Sequence, residues 1–390
     1  MGGIDMNKEQ ALAKLAERQQ MLDNVANFVE QKKTPILENL FKWKFLDTEI
    51  EPKPTPWEIM TNWDLMEKVV REHQERYDPD LCCDIGTRNN MNINATLGHS
   101  QHQMKEKESG NIQAVDEDRF GSAEALLEYA ENPTEYCWTK ASRITFPDGL
   151  TFGQIEDACR AVNEFNAYAV RINRIMNEEY GVPATVKAVS ICPTESPAMY
   201  YRGLKAFSTD MRRKPEVIDE YNRIMTPGFL KAISDACDSP RGNTAYEDWA
   251  VLLTHSIMNT KQFERFMWNG IWGEAFRILA EKKGKALMFI EASGLRLADF
   301  FNEVPRGVIT CYFELDDPFE MRKAMPNIAF AYYPQTYLQY HTPAEAVDKA
   351  KELVEGMGPG YMYCTNKMIE HANDQRRENV FAVYDYLRNH

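Results

Sequence analysis

The sequence predicts an α/β protein, a single (β/α)8 barrel with an amino-terminal helical extension, on three observations. Short apolar segments alternate with helical patterns, most clearly from Lys285 to His390. Strands separated by helices at this pitch need crossover connections and therefore pair in parallel. Roughly eight such segments can be counted, the number that closes a barrel of this class. No glycine-rich phosphate loop follows the first strand, which disfavours the competing doubly wound open sheet.

Taken in order, residues 7–32 read as one long helix that breaks at Thr34-Pro35, and a first strand is expected at about 34–40. Three prolines make 46–62 an irregular connection. A helix from about Asp64 to Gln74 leads into YDPDLCCDIGTRNN, a strand at 80–85 ending in a polar loop. Residues 99–150 are polar and weakly periodic, which suggests an insertion with local helices. A helix over 154–180 precedes ATVKAVSICP, a strand at 185–191 stopped by proline. TPGFLKAISDACD is helical, EDWAVLLTHSIMN is a strand (247–254) running into a loop, and KQFERFMWNGIWGEAFRILAEKKG reads as one helix. The last four strands are expected at 285–291, 307–314, 328–333 and 360–364. The helix TPAEAVDKAKELVEGMG, with apolar residues at three- and four-residue spacing, joins the last two. This divides the chain into an extension and first connection, 1–62, and a barrel, 63–390, with its insertion at 99–150.

The balance of 45 Lys and Arg against 59 Asp and Glu gives a net charge of −14, which argues against nucleic acid as a partner. No run of eighteen apolar residues offers a membrane span, and the amino terminus lacks a signal-peptide core. The eight cysteines are scattered without a CxxC pair, so neither a disulfide framework nor a ribbon-type zinc site is indicated, and a cytoplasmic protein is expected.

Functional groups in parallel α/β folds gather at strand carboxyl ends. Three of the last four strands carry a metal-capable residue there: Glu291, Glu314 and Cys364. Each has a plainer reading. Glu291 is simply exposed, Glu314 caps the next helix, or Cys364 is an inert buried thiol. His341 and Glu320 are further candidate ligands, although the place of His341 directly before Thr342-Pro343 favours a plain loop role. Asp84 and Arg88, at another strand end, are active-site candidates or a salt bridge that supports the loop. His255, flanked by Glu247-Asp248 across a strand, could supply a proton or be a satisfied polar residue. His99 and His102 have metal-like spacing but no acidic or cysteine partner nearby, which favours a solvated loop. Tyr332, Tyr333, Tyr337 and Tyr340 cluster after one strand, with Tyr361 and Tyr363 on another. Flat rings with polar tips suit an aromatic substrate carrying a hydroxyl group, with Tyr332, Tyr333 and Tyr337 the candidates.

Several segments together resemble the uroporphyrinogen decarboxylase superfamily. IMNTKQFERFMWNGI is similar to its Ser-Pro-x-x-Phe-x-x-Phe helix entry, and IAFAYYPQTYLQYHTPAEAVDKAKELVE to its Gly-Asn-x-Asp-Pro…Gly-Thr-Pro-x-x-Val segment. GYMYCTNKMIEHANDQRRENVFAVYDYLRNH resembles its closing Gly-Tyr-Ile…Pro-x-Glu-Asn-Val helix, and DLCCDIGTRNNMNINATLG and ICPTESPAMYYRGL match two more segments. The likeness covers most of 75–390. Porphyrinogen decarboxylases carry an arginine-rich amino-terminal segment, whereas PILENLFKWKFLD has no arginine. The methyltransferase branch binds zinc through a His-x-Cys pair and a later Cys. Here FIEASG replaces the pair, so Glu291 stands about where the family has a thiolate, and Cys364 lies near the later cysteine. A harder, carboxylate-containing site suits an oxygen-bearing substrate better than a thiol. The resemblance therefore implies the substrate-side methyltransferase of aryl-ether O-demethylation, acting on a small methoxylated aromatic. It further implies a zinc ion held by Glu291, Glu314, Cys364 and His341, and cobalamin supplied in trans by a separate corrinoid protein. No Asp-x-His-x-x-Gly cobalamin segment occurs in the sequence. A homo-oligomer is possible. A decarboxylase of another substrate and a non-catalytic binding barrel are the alternatives.

Overall fold

A computed structural model describes residues 6–82, 84–87, 102–108, 110–114, 118–240 and 242–390. Ten strands are present among them: β1 (Leu37–Glu38), β2 (Leu81–Cys82), β3 (His102–Glu106), β4 (Asn111–Ala114), β5 (Ala184–Ser190), β6 (Thr244–Leu252), β7 (Ala286–Ile290), β8 (Ile309–Phe313), β9 (Ala329–Tyr333) and β10 (Tyr361–Thr365). The architecture is mixed α/β. A six-stranded parallel sheet runs β10-β9-β8-β7-β6-β5, and β1 and β2 form a second parallel pair. Isolated parallel bridges, Ile36 to Tyr363 and Leu40 to Ile369, set β1 beside β10. At the far ends β2 and β5 share no backbone ladder among the described residues, but the Thr185 hydroxyl donates to the Cys82 carbonyl. This arrangement is compatible with a (β/α)8 barrel.

All eight strands expected from apolar runs are found. The first two are only two residues long and pair with each other over that length. The insertion adds the antiparallel hairpin β3–β4 and short helices between Glu124 and Thr145. The helix expected over 261–284 is broken: Asn269 has ψ 117 and Gly270 φ +73, a left-handed turn glycine adopts readily.

Alternation along the strands sorts their side chains into two layers. Leu37, Leu81, Ala245, Leu287, Tyr312, Ala331 and Met362 form one apolar cluster on the inner face, and Val186 of β5 packs against it. Ala250, Ile290, Phe313 and Phe330 face the surrounding helices instead. The amino-terminal helix Lys8–Ala26 starts at a capping box between Asn7 and Gln10 and sends Leu22 and Val25 into the inner cluster. Its buried Arg18 pairs with Asp78 and Asp80, both at 2.9 Å, tying the helix to the loop that starts β2. The expected extension is thus packed onto the sheet, and β1 lies within the same first sixty residues.

Candidate active site

The strand carboxyl ends are joined by side chains that reach the backbone of other strand ends. Glu195, just after β5, is fully buried. Its carboxylate accepts the N–H groups of Leu253 and Thr254, both at 2.9 Å, and the Thr254 hydroxyl. Burial pushes its pKa up to about 7 against those hydrogen bonds, and the charge of Glu291 adds in the same direction.

His255 continues the chain from β6 to β7. Its Nε2 lies 2.6 Å from the Glu291 carbonyl oxygen. A carbonyl can only accept, so Nε2 carries the proton and Nδ1 accepts from Arg296 at 3.3 Å. Burial lowers the pKa to about 4, aided by the Arg296 charge, so the ring is neutral at neutral pH. Both nitrogens are engaged in holding neighbours, which makes His255 a positioning group for Glu291.

Glu291 directly follows β7, and the next residue, Ala292, has φ +56. A side chain in that region costs about 1 kcal/mol. The Ala292 N–H donates to Glu314 Oε2 at 2.9 Å, which holds the turn. Asp316 fixes the following residues by accepting from the Ser293 hydroxyl (2.6 Å) and the N–H groups of Gly294 (2.7 Å) and Leu295 (3.2 Å). From the end of β10, Asn366 Nδ2 donates to the Glu314 carbonyl at 2.8 Å, and Lys367 Nζ lies 3.1 Å from Glu314 Oε1. Glu291 is exposed to solvent, as its plainer sequence reading had it. Crowding of its carboxyl raises its pKa, the negative charge of Glu314 raises it further, and Lys367 opposes both. The result is a carboxyl with a raised pKa beside a Glu314 that is ion-paired with the Lys367 ammonium.

The other sequence candidates fall elsewhere. Cys364 is buried among the inner apolar residues of the sheet. His341 ends the helix Gln335–Tyr340, stacked on Tyr337 at 4.1 Å and 3.7 Å from Glu345. Tyr332 stacks on Phe313 in the helix-facing layer, and the Tyr333 hydroxyl donates to the Ala346 carbonyl of the helix Pro343–Met357. These three tyrosines do not join Glu291. Asp84 Oδ1 accepts from Gly86 and Thr87, and Oδ2 sits 3.4 Å from buried Lys44, so it braces the loop after β2. Arg88 and His99 lie outside the described residues. The helix Pro318–Ala324 is capped by Asp317, which leaves Glu314 free of that role and puts Glu320 in its first turn. Glu247 accepts the Lys285 N–H at 2.6 Å at the opposite end of β6 and β7.

For zinc the residues as placed do not fit. Glu291 and Glu314 are neighbours, but His341 is committed to a helix end and Lys367 already supplies a cation to Glu314. Among the described residues no three His, Cys, Asp or Glu side chains gather with metal-binding geometry, where zinc in proteins takes three or four. Glu195, Asp316 and Lys367 are participants that sequence reasoning missed. Their one available signal was position, each lying two to five residues past a strand end.

No protein-family model matches the chain, and no curated protein matches it. Among solved structures, a methyltransferase from Methanosarcina mazei superposes with a TM-score of 0.59 over 95% of this chain and 98% of its own, at 14% identity. The chain therefore shares its fold with that structure along almost the whole length of both.

Proposed function

We propose that this chain is a methyltransferase built on a closed (β/α)8 barrel, taking a methyl group from the oxygen of a methoxylated aromatic. The acceptor in this reading is the cobalt of a separate corrinoid protein, which supplies the nucleophile. Closure is supported by the inner apolar cluster, to which all eight parallel strands contribute or pack, and by the full-length likeness to a methyltransferase. The observation that carries the chemistry is the Glu291–Glu314–Lys367 group at the ends of β7, β8 and β10.

Breaking an aryl ether leaves a phenolate, a poor leaving group unless its charge is neutralised as it forms. Glu291 meets that need as a general acid. As the oxygen–methyl bond breaks, the oxygen keeps the bonding electron pair and takes the Glu291 proton. Glu314 raises the Glu291 pKa and is itself held by Lys367, while His255 fixes the Glu291 backbone. Zinc has no part in this step.

Glu291→Gln should lower demethylation of methoxyphenols by about a hundredfold to ten-thousandfold, followed by the visible spectrum of a reduced corrinoid protein. The wild-type rate should fall as pH rises through the elevated Glu291 pKa, because only the protonated form donates. Carbon dioxide release from a carboxylated substrate, with no methyl transfer from any aryl ether, would move the reading to a decarboxylase. One equivalent of zinc in protein purified without chelators, lost in Glu291→Ala, would restore a Lewis acid in place of the proton.

A further inference from the structure

A concave pocket of about 300 Å³ opens at the amino ends of β7 and β8, the end opposite Glu291. Three segments wall it: Asp23 and Asn27 at the close of the first helix, Lys283 and Lys285 in the turn before β7, and Arg306 in the turn before β8. Lys285 is buried, with its ammonium against Asp23. Lys283 and Arg306 are exposed, and among the described residues neither lies within ion-pair distance of a carboxylate. Arg306 rests on the Phe28 ring at 4.3 Å, whereas Lys282, next to Lys283, is paired with Asp238 at 2.5 Å. Burial, and after it the Arg306 charge, lowers the pKa of nearby Arg322 to about 10, so the field there is positive. Lys283 also sits in the left-handed region, φ +56, just past the helix Gly273–Glu281, where glycine is the usual residue. A lysine there accepts strain that glycine would avoid, and what it adds at the mouth of the pocket is a charge. The ends of the helices Lys8–Ala26 and Gly273–Glu281 bring about half a negative charge each. Beside one carboxylate and three cations, that still leaves the pocket positive, in a chain whose net charge is −14.

We propose that this pocket is a binding site for a small, soluble molecule that carries a phosphate group. Cations from two separate turns suit an anion with three acceptor oxygens. The Arg306 guanidinium offers a flat fork to two of them, and Lys283 and Lys285 act as point charges. A carboxylate would use both its oxygens on the fork and leave the ammonium groups unmet. The negative charge of the whole chain repels an anionic membrane surface, which favours a soluble phosphate over a lipid headgroup. A phosphate held here ties the end of the first helix to the turns before β7 and β8, so its occupancy is read as stability. The site shares no residue with the Glu291 group and stands apart from the methyl-transfer reading.

Calorimetry and thermal melting of the full chain test this, with inorganic phosphate and glycerol phosphate titrated at constant ionic strength in chloride. Both should bind at one saturable site and raise the melting temperature with concentration, as mass action requires. Acetate should do neither. Lys283→Gly removes the charge and relieves the left-handed strain. The free variant should therefore melt no lower than the wild type, while phosphate binds at least about tenfold more weakly. Arg306→Gln should weaken phosphate by a similar factor, and it decides the matter if the glycine variant folds poorly. Unchanged phosphate affinity in the folded variants overturns the site. So does the absence of saturable binding, or acetate binding as well as phosphate. Binding to phosphatidate vesicles with no affinity for glycerol phosphate would put the phosphate on a lipid and overturn the soluble ligand.

Discussion

At the scale of single residues, the strand-end groups are defined by what their environment does to their protons. His255 is neutral because its two nitrogens serve a carbonyl and a guanidinium in a buried place. Its imidazole should therefore show no titration between about pH 5 and 8 in a nitrogen-15 NMR experiment, and a midpoint near its ordinary value would remove it from the buried bridge. Asp248, fully buried on β6, is the opposite case. Neither carboxyl oxygen meets hydrogen-bond geometry with a described residue, and burial pushes the pKa up to about 7, only partly offset by Ser190. Its pKa is raised on folding, so the folded state holds the proton that the unfolded chain releases above its ordinary carboxyl value. Asp248 therefore weakens the fold progressively as pH rises from about 4 to about 7, and the loss is complete above that. At about 1.4 kcal/mol per unit the penalty is bounded at about 4 kcal/mol. Asp248→Asn should raise the melting temperature by several degrees near pH 8 and much less near pH 5. Equal effects at both would sink the assignment.

At the scale of elements, the amino ends of β9 and β10 are held by a clamp around Phe28, just past the first helix. Its ring lies between the guanidinium groups of Arg306 (4.3 Å) and Arg322 (4.9 Å), and Arg322 also donates to the carbonyls of Ile328 and Gly360, at 2.8 and 2.9 Å. Gly360 has φ +85, and a Cβ there would meet the Phe28 ring at 2.6 Å. Gly360→Ala should therefore cost about 3 kcal/mol, part from the backbone conformation and part from the displaced ring. Chemical denaturation measures it, and a loss under about 1 kcal/mol would show that the clamp yields freely. This clamp makes the first helix a cover for one end of the sheet, opposite the end that carries Glu291.

At the scale of the whole molecule, the weak line is the β2–β5 seam. Elsewhere neighbouring strands are joined by backbone ladders or bridges, but here the described residues offer the Thr185–Cys82 side-chain bond and a cavity. Amides of β5 should exchange with deuterium well before those of β7 and β8, because opening there breaks fewer buried contacts. Uniform protection across β5 to β8 would argue for a ladder at the seam.

The sequence by itself determined the strands, their parallel pairing and the strand ends as the place to look, because apolar runs and helical spacing are local properties of the chain. It also put Glu291 and Glu314 on consecutive strands. Tertiary structure alone decided which polar groups meet there. Lys367 reaches Glu314, while His341, closer in sequence to Glu314 than Lys367 is, turns away onto Tyr337. The sequence offers Tyr332 and Tyr333 as contacts for an aromatic substrate, yet the Phe313 ring and the helix Pro343–Met357 engage them in packing. Glu195 had only its place past β5 to mark it, since a clamp on another strand's backbone exists only once distant segments are in register.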